Sequence, residues 1–185
     1  MHIVIDANVF HGFFLEKVIG GVSSLTGSPL DIFNQIGKED TAYLDEGGQI
    51  QNEWSSLVDA EWFSVWLARN LADGGIKIIP AELCRNTINA LCGLGFPRGS
   101  RDIWYIRTAK AIVKRYNRDF KKGEPVTVLI NEDLDFYEPY NKKRVTRERR
   151  IEIMQNREGS VARYLLRKER ILVNCVKNYL TDYKA

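Results

Sequence analysis

The residues of this chain whose types and positions suit chemistry are carboxylates that lie where predicted strands end or predicted helices begin. They are Asp6, Glu53, Asp102 and Asp133. Carboxylates that are brought together repel one another and raise one another's pKa unless a divalent cation neutralises them. Magnesium and manganese ions suit oxygen-only ligands, and a bound metal can polarise a phosphoryl group and activate a water molecule. The set therefore predicts metal-dependent hydrolysis of a phosphodiester bond.

Each acid also has a plain structural interpretation. Asp6 could form a turn at the end of a strand, and Asp102 could interact favourably with a helix dipole. Glu53 could simply be solvated. Asp135 is either a second acid of the Asp133 site or an acceptor for a nearby backbone N–H. Only the combination of these acids favours the functional interpretation.

Other kinds of chemistry are excluded by what the sequence lacks. The two histidines, His2 and His11, have no nucleophile motif beside them, and the three cysteines are scattered without a zinc-binding spacing. No glycine-rich nucleotide-binding motif is present. Any catalysis must therefore come from carboxylates.

The elements that must position these acids follow from the hydrophobic pattern. Short apolar segments, which predict buried strands, alternate with segments of helical periodicity. The predicted strands are 3–5, 42–44, 76–79 and 126–130, and the predicted helices are 49–72, 81–91 and one that begins near Ser100. This alternation predicts an α/β fold with a parallel sheet, in which the carboxyl ends of the strands form the ligand-binding crevice.

Length and composition indicate one globular domain with an appendage. The chain has 185 residues, of which 44% are hydrophobic and 28% are charged, so it can close a core. No apolar run approaches the roughly 20 residues of a membrane helix. The acid at position 6 interrupts the N-terminal apolar run too early for a signal peptide. We therefore expect no membrane association and a cytoplasmic location.

Charge is distributed unevenly, with a net charge of −4 over residues 1–137 and +7 over residues 138–185. A cationic tail is expected where a polyanion is held beside an acidic, metal-loaded cleft, and a solvated helix face is the alternative. The densest positive cluster, with Tyr137 and Tyr140 nearby for base stacking, comprises Lys142, Lys143, Arg144, Arg147, Arg149 and Arg150. A second candidate group for phosphate binding flanks Asp102 and comprises Arg98, Arg101 and Arg107.

The tail, residues 138–185, is predicted to be helical, with a break near Glu158-Gly159. Apolar residues between Val161 and Tyr179 recur on one side, as in an amphipathic helix. Packing of this stripe on the domain's own core is the default interpretation, and a homodimer or an inhibitory partner protein is the alternative. Earlier in the chain, the Gly- and Ser-rich segment 20–28 predicts a loop with some mobility.

Four segments within residues 1–137 resemble, in order, the motifs of the PIN-domain nucleases. The first is an apolar strand followed by Asp, a small residue and Asn, and the last is an apolar strand that leads to Asp-x-Asp-Phe. The segments are Val4-Ile5-Asp6-Ala7-Asn8-Val9-Phe10, the glycine turn and helix from Leu44 to Trp54, Arg101-Asp102-Ile103 with Ala109, and Val128 to Phe136.

This resemblance implies a three-layer α/β/α fold over residues 1–137 that binds Mg²⁺ or Mn²⁺ and hydrolyses RNA, less often DNA. The implied catalytic metal ligands are Asp6, Glu53, Asp102 and Asp133, with Asp135 as a lesser candidate. Asn8 would bond and orient Asp6, while Asn131 stands where the family usually has Thr or Ser and can still form a hydrogen bond. The basic tail stands in place of the family's closing strand and helix, which implies a specialised substrate side.

Three functions stay open from the sequence. The first is a metal-dependent endoribonuclease that acts as a toxin, a host-defence effector or an RNA-processing enzyme. The second is a DNA or structure-specific nuclease with the same site, and the third is a non-catalytic RNA-binding or interaction module on a nuclease-like scaffold. The presence of all four acids argues against the third function, while no residue separates RNA from DNA as the substrate.

Overall fold

The computed structural model describes residues 1–21 and 24–184 and contains a five-stranded sheet in which all neighbouring strands are parallel. Its strands are β1 (His2–Ile5), β2 (Thr41–Asp45), β3 (Ile76–Ile79), β4 (Thr127–Ile130) and β5 (Ile171–Asn174). They lie in the order β3-β2-β1-β4-β5. The prediction of an α/β fold with a parallel sheet is confirmed, and the four predicted strands correspond to β1 to β4.

The central strands β1 and β4 are apolar and buried, as strands covered on both faces must be. Ile3 pairs with Val128, and Ile5 pairs with Ile130. The next two strands in the chain, β2 and β3, lie on one side of β1, whereas β4 and β5 lie on the other. Such a reversal of strand order opens a crevice at the carboxyl ends of the two central strands.

Helices flank the sheet, which is compatible with three α/β/α layers. The α-helices are α1 (Ala7–Phe14), α2 (Pro29–Phe33), α3 (Gln49–Ser55), α4 (Ala60–Ala72), α5 (Arg85–Gly93), α6 (Ile103–Tyr116), α7 (Arg147–Gln155), α8 (Ser160–Glu169) and α9 (Val176–Lys184). A π-helical turn, Leu15–Ile19, extends α1, and 3-10 turns span Asn117–Asp119, Leu134–Phe136 and Pro139–Asn141. Within the described residues, no helix combines the length and the apolar character needed to cross a bilayer.

Helix α6 contacts all five strands of the sheet. One face of this helix is buried and contains Tyr105, Ile106, Ala109 and Ile112, at the spacing of an amphipathic helix. The residues that precede α6, including Asp102, are therefore held against the edge of the sheet where the strands end.

The helix predicted over residues 49–72 is in fact two helices, α3 and α4. The carboxylate of Asp59 accepts a hydrogen bond from the N–H of Trp62 at 2.8 Å and caps the start of α4. Aromatic residues on both sides of the break join one cluster, in which the rings of Phe10 and Trp54 stack with centroids 4.3 Å apart. The hydrophobic pattern therefore continues through the break and does not reveal it.

The prediction of a purely helical tail is wrong, because residues 171–174 form β5 beside β4. Helix α8 ends at Glu169, and Arg170 takes a left-handed conformation with φ of 58° that turns the chain into the strand. Ile171 and Val173 are buried in the core. The apolar residues of a short strand between two helices fit helical spacing as well as strand alternation. Periodicity alone therefore does not distinguish a strand from a helix here.

The apolar stripe of the tail is covered by the chain itself. Val161, Leu165, Val176 and Tyr179 are all buried in the core of the single chain. The default interpretation, that the stripe packs on the domain's own core, is correct. These four side chains are therefore not available to a homodimer or an inhibitory partner.

The loop predicted over residues 20–28 is anchored by Glu132, which follows β4. The Glu132 carboxylate accepts hydrogen bonds from the N–H groups of Leu25 and Thr26 at 2.8 and 3.1 Å. Residues 22–23 of this prediction lie outside the described residues. Glu132 thus has a structural role at the end of β4, directly before the acid of the fourth motif.

We expect Gly159→Ala to destabilise the fold, because a Cβ at this position would lie 2.1 Å from the carbonyl oxygen of Tyr137 and because φ is +119°. The combined clash and backbone strain should lower the free energy of unfolding by on the order of 3 kcal/mol. The matched control is Gly93→Ala in α5, where a Cβ meets no atom within 4 Å, and its expected effect lies within about 1 kcal/mol of zero. Urea denaturation of both variants tests this, and equal stabilities would contradict it.

Candidate active site

The carboxyl ends of β1 and β4 place two of the predicted acids at the same edge of the sheet. The N–H of Asp6 donates a hydrogen bond to the carbonyl oxygen of Ile130 at 3.0 Å, which continues the pairing of the two strands by one residue. The neighbouring strand β4 ends at Ile130, and Asp133 comes three residues later in the chain. Both acids therefore enter the crevice where the strand order reverses.

Asp6 lies at the base of this crevice and caps α1. Its Oδ2 accepts a hydrogen bond from the N–H of Asn8 at 3.1 Å, and the residue is only 3% exposed. Burial, together with the negative charges of Asp102, Glu53 and Asp133, raises the pKa of the Asp6 carboxyl to about 8. The structure therefore brings all four predicted acids close enough for their charges to act on one another.

Glu53 is held by Tyr105, a residue that the sequence analysis did not single out. The Tyr105 hydroxyl donates a hydrogen bond to Glu53 Oε2 at 2.8 Å and accepts one from the N–H of Ala7 at 3.1 Å. Burial, followed by the charges of Asp6 and Glu53, raises the pKa of Tyr105 well above its usual value. The spacing of Tyr105 three residues after Asp102, on the same face of a helix, was the sequence signal available for it.

Asp102 is positioned by a short turn before α6. Ser100 Oγ donates a hydrogen bond to Asp102 Oδ2 at 2.7 Å, and it accepts one from the N–H of Asp102 at 3.2 Å. A helix was predicted to begin near Ser100. The Ser100 hydroxyl organises the turn that leads into this helix. Burial raises the pKa of Asp102, and the charges of Asp133, Glu53 and Asp135 raise it further.

Asp133 and Asp135 are paired with a lysine of the tail. The Lys142 ammonium lies 2.8 Å from Asp133 and 2.6 Å from Asp135 Oδ2. Although partial burial lowers the pKa of Lys142, its hydrogen bonds to the two carboxylates raise it on balance. Asp133 Oδ1 also accepts a hydrogen bond from the N–H of Asp135 at 3.0 Å, so Asp135 contributes a backbone donor here while its own carboxylate pairs with Lys142. Lys142 therefore provides a positive charge inside the predicted metal site.

The two asparagines predicted to support the acids behave differently. The side chain of Asn8 is exposed, and within the described residues only its backbone N–H bonds to Asp6. The predicted bond from Asn8 to Asp6 is therefore present, and the backbone N–H at the start of α1 donates it. Asn131 is fully buried, and its Oδ1 accepts a hydrogen bond from the N–H of Asp133 at 2.5 Å. The hydrogen bond expected of the Asn131 side chain is therefore present.

The donors of this site fit a divalent cation in their chemistry. All are carboxylate oxygens, and the pKa of Asp6 is raised first by burial and then by like charges, which a cation would relieve. Their positions fit less well, since no three His, Cys, Asp or Glu side chains within residues 1–21 and 24–184 are placed to hold one ion. Binding of a metal would therefore require side-chain rearrangement, including that of Lys142.

Several basic residues predicted to bind nucleic acid are engaged within the chain. Arg149 forms ion pairs with two glutamates, and Arg150 donates a hydrogen bond to a backbone carbonyl at 2.5 Å. The guanidinium of Arg107 lies 4.2 Å from the centroid of the Trp104 ring. The exposed members of the predicted set are Arg98, Arg101, Lys143, Arg144, Arg147 and the ion-paired Arg149.

Of the two tyrosines predicted to stack on bases, only one is accessible. Tyr137 is fully buried, and its hydroxyl donates a hydrogen bond to the carbonyl oxygen of Asn131 at 3.2 Å. Its prediction as a stacking residue is therefore wrong, because the ring is part of the core. Tyr140 is 66% exposed.

A groove of about 890 Å³ lies elsewhere on the surface and was not predicted from the sequence. Its apolar wall includes Phe13, Phe33, Trp62 and Trp66, and the rings of the two tryptophans stack with centroids 5.9 Å apart. The groove contains none of the predicted metal ligands. The aromatic pattern of 49–72 had indicated a buried helix, and only part of that aromatic surface is buried.

Comparison of the chain with protein-family models, with curated proteins and with solved structures gives no match.

We expect the metal-free protein to lose stability as the pH rises from about 5 to 8. Above an ordinary aspartate pKa of 3.8, the unfolded chain releases the Asp6 proton, whereas the folded chain keeps it up to a pKa of about 8. The folded state therefore binds more protons over this window, so the free energy of unfolding falls with rising pH. The raised pKa of Asp102 acts in the same direction.

The Asp6→Asn variant tests this directly, because the neutral amide cannot titrate. At pH 8 the variant should exceed the wild type in free energy of unfolding by on the order of 3 kcal/mol, and its pH profile should be flatter. The measurement is chemical denaturation in EDTA between pH 5 and 8, with Asp73→Asn at the exposed end of α4 as the control. A wild-type slope retained in Asp6→Asn would contradict the assignment.

Proposed function

We propose that this protein is a metal-dependent endoribonuclease whose acidic site hydrolyses RNA phosphodiester bonds with Mg²⁺ or Mn²⁺. The single observation that carries the proposal is the buried Asp6 carboxyl, whose pKa is raised to about 8 by burial and by three other acids. Burial of a carboxyl beside other acids opposes folding, and groups with such perturbed pKa values cluster at functional sites. The four motifs that resemble those of PIN-domain nucleases contain the same acids.

The proposed metal ligands are Asp6, Glu53, Asp102 and Asp133, with Asp135 as a lesser candidate. When bound, the metal would polarise the phosphoryl group and lower the pKa of the attacking water. Because carboxylates must be ionised to bind a metal, binding would release the proton that Asp6 holds at neutral pH.

Neighbouring residues of the chain hold these acids in position. Tyr105 connects Glu53 to the first turn of α1, which keeps two acids from separate elements in a fixed relation. Ser100 orients Asp102 through a hydrogen bond of 2.7 Å. Lys142 neutralises Asp133 and Asp135 in the metal-free protein and would have to release at least one of them when a cation enters.

The substrate side of the site is basic, as phosphate binding requires. Arg98 and Arg101 are exposed next to Asp102, and Lys143 and Arg144 are exposed next to Lys142. RNA is favoured over DNA because of the resemblance to PIN-domain nucleases, and the same site would also serve a DNA nuclease. The proposed roles are those of a toxin, a host-defence effector or an RNA-processing enzyme in the cytoplasm.

We expect labelled single-stranded RNA to be cut in Mn²⁺ or Mg²⁺ and left intact in EDTA. Asp6→Asn and Asp102→Asn should each reduce the cleavage rate by at least about 100-fold, because each change removes a charge that the metal needs without changing the shape. Asp73→Asn, an exposed acid outside the site, should cut like the wild type. Parallel reactions on single-stranded DNA decide which polymer is preferred.

A measurement independent of turnover accompanies the cleavage assay. Mn²⁺ should raise the Tm of the wild type, since a ligand that binds only the folded state stabilises it, and the increase should shrink in Asp6→Asn. Metal-independent cutting, or cutting that survives both substitutions, would refute the acidic site. A folded wild type that binds RNA and never cuts it would favour the non-catalytic binding module.

A further inference from the structure

Tyr140 is an exposed aromatic residue without a hydrogen-bonding partner for its hydroxyl among the described residues. Tyr140 is 66% exposed, and an exposed tyrosine offers a large apolar face together with a polar hydroxyl, as side chains at binding surfaces do. Among residues 1–21 and 24–184, Tyr140 is the only large aromatic side chain that is exposed. Its hydroxyl contributes no hydrogen bond to the fold over residues 1–21 and 24–184.

The ring of Tyr140 is held in place by close contact with Gly95. A Cβ at position 95 would lie 2.9 Å from both Cε2 and Cζ of the ring, so a larger residue there would displace the ring. Gly95 also has φ of +94°, a conformation that glycine adopts without strain. On the other side, Pro139 begins the 3-10 turn that carries Tyr140 and restricts its backbone. The ring is therefore a preorganised surface, which lowers the entropic cost of binding.

Tyr140 lies between the two segments that carry the acids. Phe96, the residue after Gly95, packs edge-on against Phe136 with ring centroids 5.4 Å apart, which joins the loop before Asp102 to the turn after Asp133. Lys142, whose ammonium contacts Asp133, is two residues from Tyr140, a backbone distance of at most roughly 7 Å. The exposed ring is thus adjacent to the acidic crevice.

Positive charge surrounds this ring on both segments. Arg98 and Arg101 are exposed on the loop that runs from Gly95 to Asp102, and Lys143 and Arg144 are exposed just after Lys142. Basic residues that bind phosphates, combined with an aromatic ring on which a base stacks, are the features of a surface for single-stranded nucleic acid. In a duplex the faces of the bases are stacked on one another and are not available to a side chain.

From these contacts we propose that Tyr140 is the surface on which an unpaired base of the bound nucleic acid stacks. The inference rests on the proposed function, since it assigns a substrate-binding residue to that acidic site. Tyr140 positions the strand so that a phosphate beside the stacked base faces the carboxylates. The ring contacts substrate and takes no part in the reacting bonds.

The test measures binding by fluorescence anisotropy in EDTA, where no cleavage occurs, at one fixed salt concentration. The probes are a labelled 10-nucleotide single strand in RNA and DNA forms, the same strand with abasic sites, and the matching duplex. Tyr140→Ala should weaken binding of the base-containing single strand roughly 10-fold to 100-fold, whereas Tyr140→Phe should stay within about twofold of the wild type. A thermal melt confirms that the variants are folded.

The abasic strand separates stacking from a structural or electrostatic role. It should bind the wild type and Tyr140→Ala equally, because it offers phosphates without a base. Equal losses on the abasic and base-containing strands, unchanged binding by Tyr140→Ala, tighter binding of the duplex by the wild type, or no binding of any strand would each overturn the inference.

This outcome is independent of the nuclease proposal, because binding is measured without metal. Loss of base-dependent binding in Tyr140→Ala supports the inference even when the wild type cuts nothing in Mn²⁺, and in that case the proposed function alone fails. Cleavage by the wild type together with unchanged binding by Tyr140→Ala refutes the inference alone. The better-bound single strand, RNA or DNA, then identifies the sugar that the surface prefers.

Discussion

Burial of the Asp6 carboxyl at the point where the strand order reverses is the constraint on which the rest of this structure depends. A carboxylate taken out of water next to three others is unfavourable, and for this reason the pKa of Asp6 is raised to about 8. The parallel pairing of β1 with β4 makes the placement unavoidable, because the hydrogen bond from the N–H of Asp6 to Ile130 belongs to the same ladder. The fold therefore concentrates negative charge in the crevice that its topology creates.

The neighbouring residues limit this repulsion in ways that keep the acids in place. Tyr105 donates to Glu53 and accepts from the N–H of Ala7, so a neutral hydroxyl connects two charged elements. Lys142 pairs with both acids after β4 and offsets part of their negative charge. An internal cation of this kind stabilises the metal-free protein and competes with any ion that enters, so occupancy of the site and the position of the tail are coupled.

The sheet and the acids could be predicted from the sequence because both depend on local patterns. An apolar strand that ends in an acid places that acid at the carboxyl edge, and Asp6 and Asp133 lie there as predicted. Contacts distant in sequence had no such pattern. The hydrogen bond between Tyr105 and Glu53 joins residues 52 positions apart, and β5 was hidden because Ile171 and Val173 also fit a helical stripe. The burial of Tyr137 followed from the same tertiary packing.

The pairing of β5 with β4 fixes the basic segment between these strands near the acids. Because residues 171–174 pair with β4 and the chain leaves β4 at Ile130, the segment between them is tied to the sheet at both ends. Lys142 and Tyr140 therefore lie on a closed connection between two adjacent strands and not on a free appendage. Loss of the pairing at β5 would release both the counter-charge of Asp133 and the aromatic surface next to Gly95. The edge strand of the tail thus belongs to the architecture of the acidic site.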